Sequence, residues 1–317
     1  MKLKMNNNYE PFVQFLKGAK QEKILIVTHR DPDGDGLSCC LALSNVLNNL
    51  NIENCVWIPQ GIPNYLEFLI DPKSIRVKYP DYFSYTAVIA LDCSSLARIP
   101  ELHLIKDVEH LINIDHHQDN QSFGKINLLE DRSSVGEILS NLFLYMHHPL
   151  NKEIANYLYA AIVYDTGQFR HSNTSASTLK LASILVDSGA ENNLISRRMF
   201  EDKSIDYFRI LKKSLERAVL DNDTGIVYSS LLTEDLSEKI SLIDIYRQWK
   251  ACKVALIFQE IEKDEVKISL RSEEVNVAEF ARKFGGGGHK KAAGIRLHLG
   301  LDEAIEKVVK SLEVFIQ

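Results

Sequence analysis

The chain lacks any run of about 18 uncharged apolar residues, so no membrane-spanning helix is expected. No apolar core follows the Lys- and Asn-rich first residues, and nothing there reads as a secretion signal. Cysteine is scarce. The five residues Cys39, Cys40, Cys55, Cys93 and Cys252 form no Cys-x-x-Cys pair. That excludes a disulfide framework and points to free thiols in a reducing cytoplasm. Positive charge is short as well: 37 Lys and Arg face 43 Asp and Glu, a net charge of -6. A protein that coats long nucleic acid usually carries the opposite sign. A short nucleotide in a local pocket, or an acidic cluster around metal ions, is still compatible with this balance. Repeats and low-complexity tracts are absent.

What is present is an ordinary soluble composition, 45% apolar and 25% charged over 317 residues. That length suggests two domains of ~150 residues each. Ile24–Val27, Asn54–Ile58, Ala87–Leu91 and Leu111–Ile114 read as buried strands. Helical patterns cover 37–50, 134–146, 152–163 and 175–186. Such alternation predicts an α/β fold with a doubly wound, mainly parallel sheet over residues 1–190. Residues 191–221 read as a helical connector without strand signal. Residues 222–317 read as a smaller mixed α+β domain, with strands near 225–230, 253–259, 265–270 and 294–299 and a glycine loop at 285–288.

One feature dominates. The first strand runs into His29-Arg30-Asp31-Pro32-Asp33-Gly34-Asp35, the third into Asp92, and the fourth into Asp115-His116-His117. The helix 152–163 runs into Asp165. Ligands bind at the carboxyl ends of strands in open parallel sheets. Packed carboxylates raise one another's pKa and stay ionised cheaply only with cations between them. Carboxylate and imidazole without thiolate suit Mn²⁺, Mg²⁺ or a related divalent ion better than structural zinc. Six candidate ligands favour two ions over one. Each piece alone has a plainer reading: a solvated turn at Pro32-Asp33-Gly34, a helix cap at Asp92 or Asp165. All four at successive element ends outweigh those readings together.

With these residues in view, the sequence resembles the DHH phosphoesterases, named for the triplet Asp115-His116-His117. It is most similar to their short two-domain nanoRNase/pAp-phosphatase type. The motif His29-x3-Asp33-x-Asp35 is matched, as are Asp92 and Asp165. The C-terminal part resembles the DHH-associated domain through Arg271 and Gly285-Gly286-Gly287-Gly288-His289. The resemblance implies that His29, Asp33 and Asp92 hold one metal ion, and that Asp35, Asp92, His116 and Asp165 hold the second. Asp92 would bridge them. It also implies manganese as the favoured ion, His117 facing the phosphate, and Asp115 orienting its histidine neighbours. Arg98 matches an arginine in the same loop of relatives.

The four glycines invite an anion-binding backbone nest. Arg271, Gly286, Gly287, Gly288 and His289 are therefore expected to hold substrate; a plain turn is the simpler alternative. The implied activity is hydrolysis of short oligoribonucleotides to mononucleotides by a hydroxide bridging the two ions, with pAp to AMP as a second reaction. Cyclic di-AMP or pApA hydrolysis, a manganese-dependent inorganic pyrophosphatase and an inactive nucleotide-binding module are the competing readings. A cytoplasmic homodimer is expected from relatives. The roles of Asp31, Arg170 and Thr174 are open.

Overall fold

The computed structural model describes residues 7–80, 85–99, 101, 108–236 and 242–316. The chain divides into two compact units, Met1–Asp202 and Lys203–Gln317. Among the described residues no helix is long and apolar enough to cross a membrane.

The first unit runs α1 (Glu10–Gly18), β1 (Lys23–Val27), α2 (Gly34–Asn49), β2 (Glu53–Val56), β3 (Ala87–Leu91), β4 (His110–Asp115), β5 (Ile126–Leu129), α3 (Val135–Tyr145), α4 (Lys152–Asp165), α5 (Ala176–Asp187) and α6 (Asn192–Ser196). All five strands pair in parallel, in the order β2-β1-β3-β4-β5. The expected α/β class with a parallel sheet is what the chain forms. Both faces of β1 and β3 are buried, so after Lys23 these strands are continuously apolar rather than alternating. Ile24, Ile26, Ile89 and Leu91 point into the helical layer. Leu25, Val27, Val88 and Ala90 pack against Trp57 and Cys93 on the other face.

The chain leaves β1 toward β2 on one side, and β3 takes its place on the other. The sheet order therefore reverses between β1 and β3, and a crevice opens there at the carboxyl ends. That crevice is where the expected ligands lie. Strand β5 was not legible in the sequence. It is four residues long, at the sheet edge, with only Leu128 fully buried; its pairing with β4 makes it a strand.

The second unit holds α7 (Ile205–Glu216), β6 (Val219–Asp221), β7 (Ile226–Leu231), α8 (Ile243–Tyr246), β8 (Val254–Glu262), β9 (Glu265–Ser272), α9 (Val277–Arg282), β10 (Gly287–His289), β11 (Ala292–Leu297) and α10 (Leu301–Ile316). Its sheet order is β10-β11-β9-β8-β7-β6. Only the β7–β8 pair is parallel, so the sheet is mixed in direction, and with its helices the unit is the α+β domain expected. The helices of stretch 191–221 divide between the units, α6 in the first and α7 in the second. Residues 219–221 form a short strand rather than helix, through pairing with β7.

The glycine run differs from a simple loop. Gly287 and Gly288 enter β10 and pair with Gly294 and Ala293 of β11. A Cβ on Gly286 would lie 2.2 Å from the Gly294 carbonyl oxygen, and one on Gly288 2.4 Å from that of Ala292. Close approach of two backbones thus requires glycine at both positions. Gly285 and Gly288 have φ of 73° and 140°.

Asp235 makes a stability device in this unit. Its buried carboxylate pairs with Arg217, just past the end of α7, and, at 2.9 Å, with Lys213 on α7. The Leu232 N–H donates to it at 3.1 Å. Burial opposes ionisation, but the Arg217 and Lys213 bonds outweigh it and pull the carboxyl down to about 2. The stabilisation is complete above the unfolded carboxyl value of about 4 and is lost as pH falls through about 2. An Asp235→Asn protein is expected to lose about 2 kcal/mol in urea unfolding at pH 7. The gap to the parent should close between pH 4 and 2. A gap that persists unchanged at pH 2 would assign the loss to packing instead.

Candidate metal centre

The loop after β1 and the start of α2 fold around two carboxylates with divided duties. Asp33 caps α2: its Oδ1 accepts from the Asp35 and Gly36 N–H groups, both at 3.1 Å. Its Oδ2 faces His29 Nε2 at 3.6 Å. Asp35 is fully buried. Its Oδ2 accepts from Val135 N–H at 2.7 Å and its Oδ1 from Gly136 N–H at 2.9 Å. The Cys39 thiol also donates to Oδ1, at 3.3 Å. A carboxylate offers about four acceptor sites, so this network leaves Asp35 room for one further partner on Oδ2. A Cβ on Gly34 would strike the Tyr164 ring at 2.4 Å, which keeps this turn glycine.

Asp92 lies at the end of β3 with φ at 57°, a left-handed conformation that Asp and Asn tolerate better than most residues. The turn is held by side-chain amides: Asn113 donates to the Ala90 and Cys93 carbonyls, and Asn120 to Cys93 O at 3.0 Å. This turns the two oxygens of Asp92 apart. Oδ2 faces His29 Nε2 at 3.4 Å, and Oδ1 faces His116 Nε2 at 3.6 Å. His116 Nε2 also faces Asp165 Oδ2 at 3.2 Å. The opposite nitrogen, His116 Nδ1, donates to the Arg132 carbonyl at 3.2 Å, which points Nε2 at these carboxylates.

Two groups result. His29, Asp33 and Asp92 bring ligand atoms within 4.8 Å of one another, and so do Asp35, His116 and Asp165. A further group joins Asp92, Asp115, His116 and His117. In that group Asp115 Oδ1 accepts from His117 Nδ1 at 2.7 Å and Oδ2 from Asn120 at 2.6 Å. His117 Nε2 then accepts from Arg98 Nη1 at 3.3 Å. The structure thus gathers His29, Asp33, Asp35, Asp92, Asp115, His116, His117, Asp165 and Arg98 into one region of the first unit.

The residues fit a divalent cation. Burial, and then the Asp92 charge, push Asp35 up to about 7. Burial and the Asp35 charge push Asp165 well above the carboxylate range. Burial disfavours charge on His29, yet Asp33 and Asp92 outweigh it and push the imidazole up to about 10. Carboxylates that resist ionisation beside histidines that resist neutrality describe negative charge in excess. Asp92 Oδ1 is buried and accepts no hydrogen bond among the described residues. A cation would satisfy it and release the protons.

In the second unit, register aligns Arg271 of β9, Ala292 of β11 and His289 of β10 in one row across three strands. Arg271 Nη1 donates to the Leu270 carbonyl at 3.0 Å. The His289 side chain lies outside the described residues. Three residues left open in the sequence now have places. Asp31 is exposed. Arg170 Nε donates to the Gly167 carbonyl at 2.8 Å and braces the left-handed run Gly167-Gln168-Phe169. Thr174 has a buried hydroxyl, and Ser175 caps α5.

Sequence reasoning missed Asn113, Asn120, Glu137 and Asn173, which hold this centre through hydrogen bonds. Only Glu137 had a signal: Ser134-x-x-Glu137 before an apolar run is a capping pattern. Its side chain nevertheless reaches Ser133 rather than the Ser134 backbone.

Residues 23–162 match the model of the DHH family, N-terminal domain, and residues 223–317 that of the DHHA1 domain. The chain is 30% identical over 300 residues to a bifunctional oligoribonuclease and PAP phosphatase NrnA of Thermus thermophilus, covering 93% of this chain and 90% of that one. It is 26% identical over 304 residues to a probable bifunctional oligoribonuclease and PAP phosphatase NrnA of Streptococcus mutans, covering 92% and 95%. Its fold matches the crystal structure of an exopolyphosphatase-related protein from Bacteroides fragilis with a TM-score of 0.89, at 24% identity, over 98% of this chain and 96% of that one.

Proposed function

This chain belongs to the DHH family, and from that premise we propose that it is a metal-dependent phosphoesterase that cleaves short oligoribonucleotides to mononucleotides and converts pAp to AMP. The observation that carries the reading is Asp92, whose two oxygens face two separate ligand groups. His29, Asp33 and Asp92 would hold one divalent ion. Asp35, His116, Asp165 and the other oxygen of Asp92 would hold the second. Manganese is the favoured ion, by the hard donor set. Two such ions, when bound, supply charge that offsets the phosphate and lowers the pKa of an attacking water.

The chain's own residues supply the rest. Arg98 would bind a phosphate oxygen through its guanidinium. His117, with Nδ1–H held on Asp115, would take up a proton at Nε2 from the attacking water and pass it to the leaving oxygen. Arg271, Gly286, Gly287, Gly288 and His289 would bind the remainder of the substrate. The names carried by the Thermus thermophilus and Streptococcus mutans relatives support this substrate class over pyrophosphate.

A substrate panel tests the proposal. The manganese-loaded protein is incubated with pApA, a five-residue RNA, a 20-residue RNA, pAp, cyclic di-AMP and pyrophosphate, and products are resolved by chromatography. Mononucleotides from pApA and the five-residue RNA, with AMP from pAp, are expected. Turnover of cyclic di-AMP or pyrophosphate above that of the short RNAs would reassign the substrate. No turnover of any would leave a nucleotide-binding module.

A further inference from the structure

The corner between β5 and α3, residues 132–136, is tied to all three residues of one ligand group, Asp35, His116 and Asp165. Val135 and Gly136 N–H groups donate to Asp35. The Arg132 carbonyl accepts from His116 Nδ1. The Ser133 carbonyl accepts from Asn173 Nδ2 at 3.0 Å, and the same amide donates to the Asp165 carbonyl at 3.2 Å. Asp35, His116 and Asp165 come from α2, the end of β4 and the end of α4, yet all three are tied to this one corner. His29 and Asp33 make no hydrogen bond to it among the described residues.

The corner is itself held by Glu137, in the first turn of α3 and 1% exposed. Its Oε2 accepts from the Ser133 hydroxyl at 2.7 Å, the Ser133 N–H at 3.3 Å and the Thr178 hydroxyl of α5 at 2.9 Å. Its Oε1 pairs with Arg132 at 3.6 Å. A buried carboxylate is costly. Here it accepts three hydrogen bonds and one cation, and it fixes both ends of the corner: Arg132 and Ser133 directly, Val135 and Gly136 through its own helix. Gly136 packs closely on α4, where a Cβ would sit 2.5 Å from that of Ala161.

We propose that Glu137 is a positioning residue for one ion only: by fixing the 132–136 corner it sets the spacing of Asp35, His116 and Asp165, and it leaves the His29–Asp33–Asp92 group untouched. This rests on the two-ion reading above. Residues that orient ligands typically tune metal affinity by about 10–100-fold, and the selectivity between two neighbouring ions is the distinctive consequence.

The test is calorimetric titration of manganese into chelator-stripped full-length protein, with manganese EPR at one and two equivalents. The parent should take up two ions. Glu137→Ala should keep one site at parental affinity and weaken the other by about 10–100-fold, with the spin-coupled EPR signal lost at two equivalents. Its kcat should fall while KM for pAp stays near the parental value. If circular dichroism shows that Glu137→Ala does not fold, Glu137→Gln carries the test. The amide oxygen keeps the Ser133 and Thr178 bonds and loses only the Arg132 ion pair, so a several-fold loss confined to the same site is expected. Two parental affinities in a folded variant, or equal weakening of both sites, would overturn the proposal. A parent protein that takes up no manganese would overturn the two-ion reading and this inference with it.

Discussion

An Asp92→Asn protein is expected to bind neither manganese ion at concentrations that saturate the parent, and to lose at least about a thousandfold in kcat/KM, some 4 kcal/mol of transition-state stabilisation. The variant is chosen for its backbone. Asp92 sits at φ of 57°, a region where asparagine is tolerated and alanine is strained. The Asp92 N–H bond to Ile114 O at 3.0 Å is kept, and so is the Asn113–Asn120 bracing. What changes is one charge and one acceptor, at the point where both ligand groups meet. Oδ2 serves His29 and Oδ1 serves His116, so an amide can offer an oxygen to one side only. Removing one negative charge also relieves Asp35 and Asp165, whose carboxyls are raised in part by Asp92. Manganese, which should raise the melting temperature of the stripped parent, should leave that of the stripped variant unchanged. Retention of two ions would show that the bridge is not needed and would redraw the ligand sets.

The contrast with a peripheral carboxylate shows why part of the site was readable from sequence. Asp33, Asp35, Asp92, Asp115, His116 and Asp165 each lie at or near the end of a strand or helix, and their chemistry is written in the residue type. A parallel sheet brings strand ends to one edge whatever the sequence between them. The holding residues carry no such mark. Asn113 is inside β4, Asn120 and Asn173 are in loops, and each acts by donating to a main-chain carbonyl that the fold brings near. An asparagine in a loop reads as an ordinary turn residue. Only the tertiary structure gives it a partner 20 or more residues away, as for Asn113 and Ala90, 23 apart. The glycine run has a second reading that only the structure supplies. Its composition suggested a ligand, whereas the close approach of β10 and β11 already requires glycine at 286 and 288. Strand β5 shows the same limit at the level of the fold, since its pairing with β4 and not its composition makes it a strand.

Asp115→Asn should separate proton handling from metal binding. The parent carboxylate is wholly buried at the end of β4, with Oδ2 accepting from Asn120 at 2.6 Å and Oδ1 from His117 Nδ1 at 2.7 Å. Two acceptors meet two donors. In the variant the amide oxygen faces Asn120, because Asn120 Nδ2 can only donate. The new NH₂ then faces His117 Nδ1, which must give up its hydrogen and accept. The proton moves to Nε2, where the Arg98 donor stands 3.3 Å away. Two donors now oppose each other, and the imidazole can neither accept from Arg98 nor take up a proton at Nε2. General acid–base catalysis contributes about 10²–10⁴-fold, so kcat for pAp should fall by about two to three orders of magnitude. Both manganese sites should titrate as in the parent, because His29, Asp33, Asp35, His116 and Asp165 are unchanged. Nitrogen-15 NMR of the His117 ring reads the tautomer directly. A flipped tautomer with parental kcat would remove His117 from the chemistry and leave it a phosphate contact. An unflipped tautomer would mean that Asn120 has turned to donate elsewhere, and the Asn120→Ala double variant should then restore nothing.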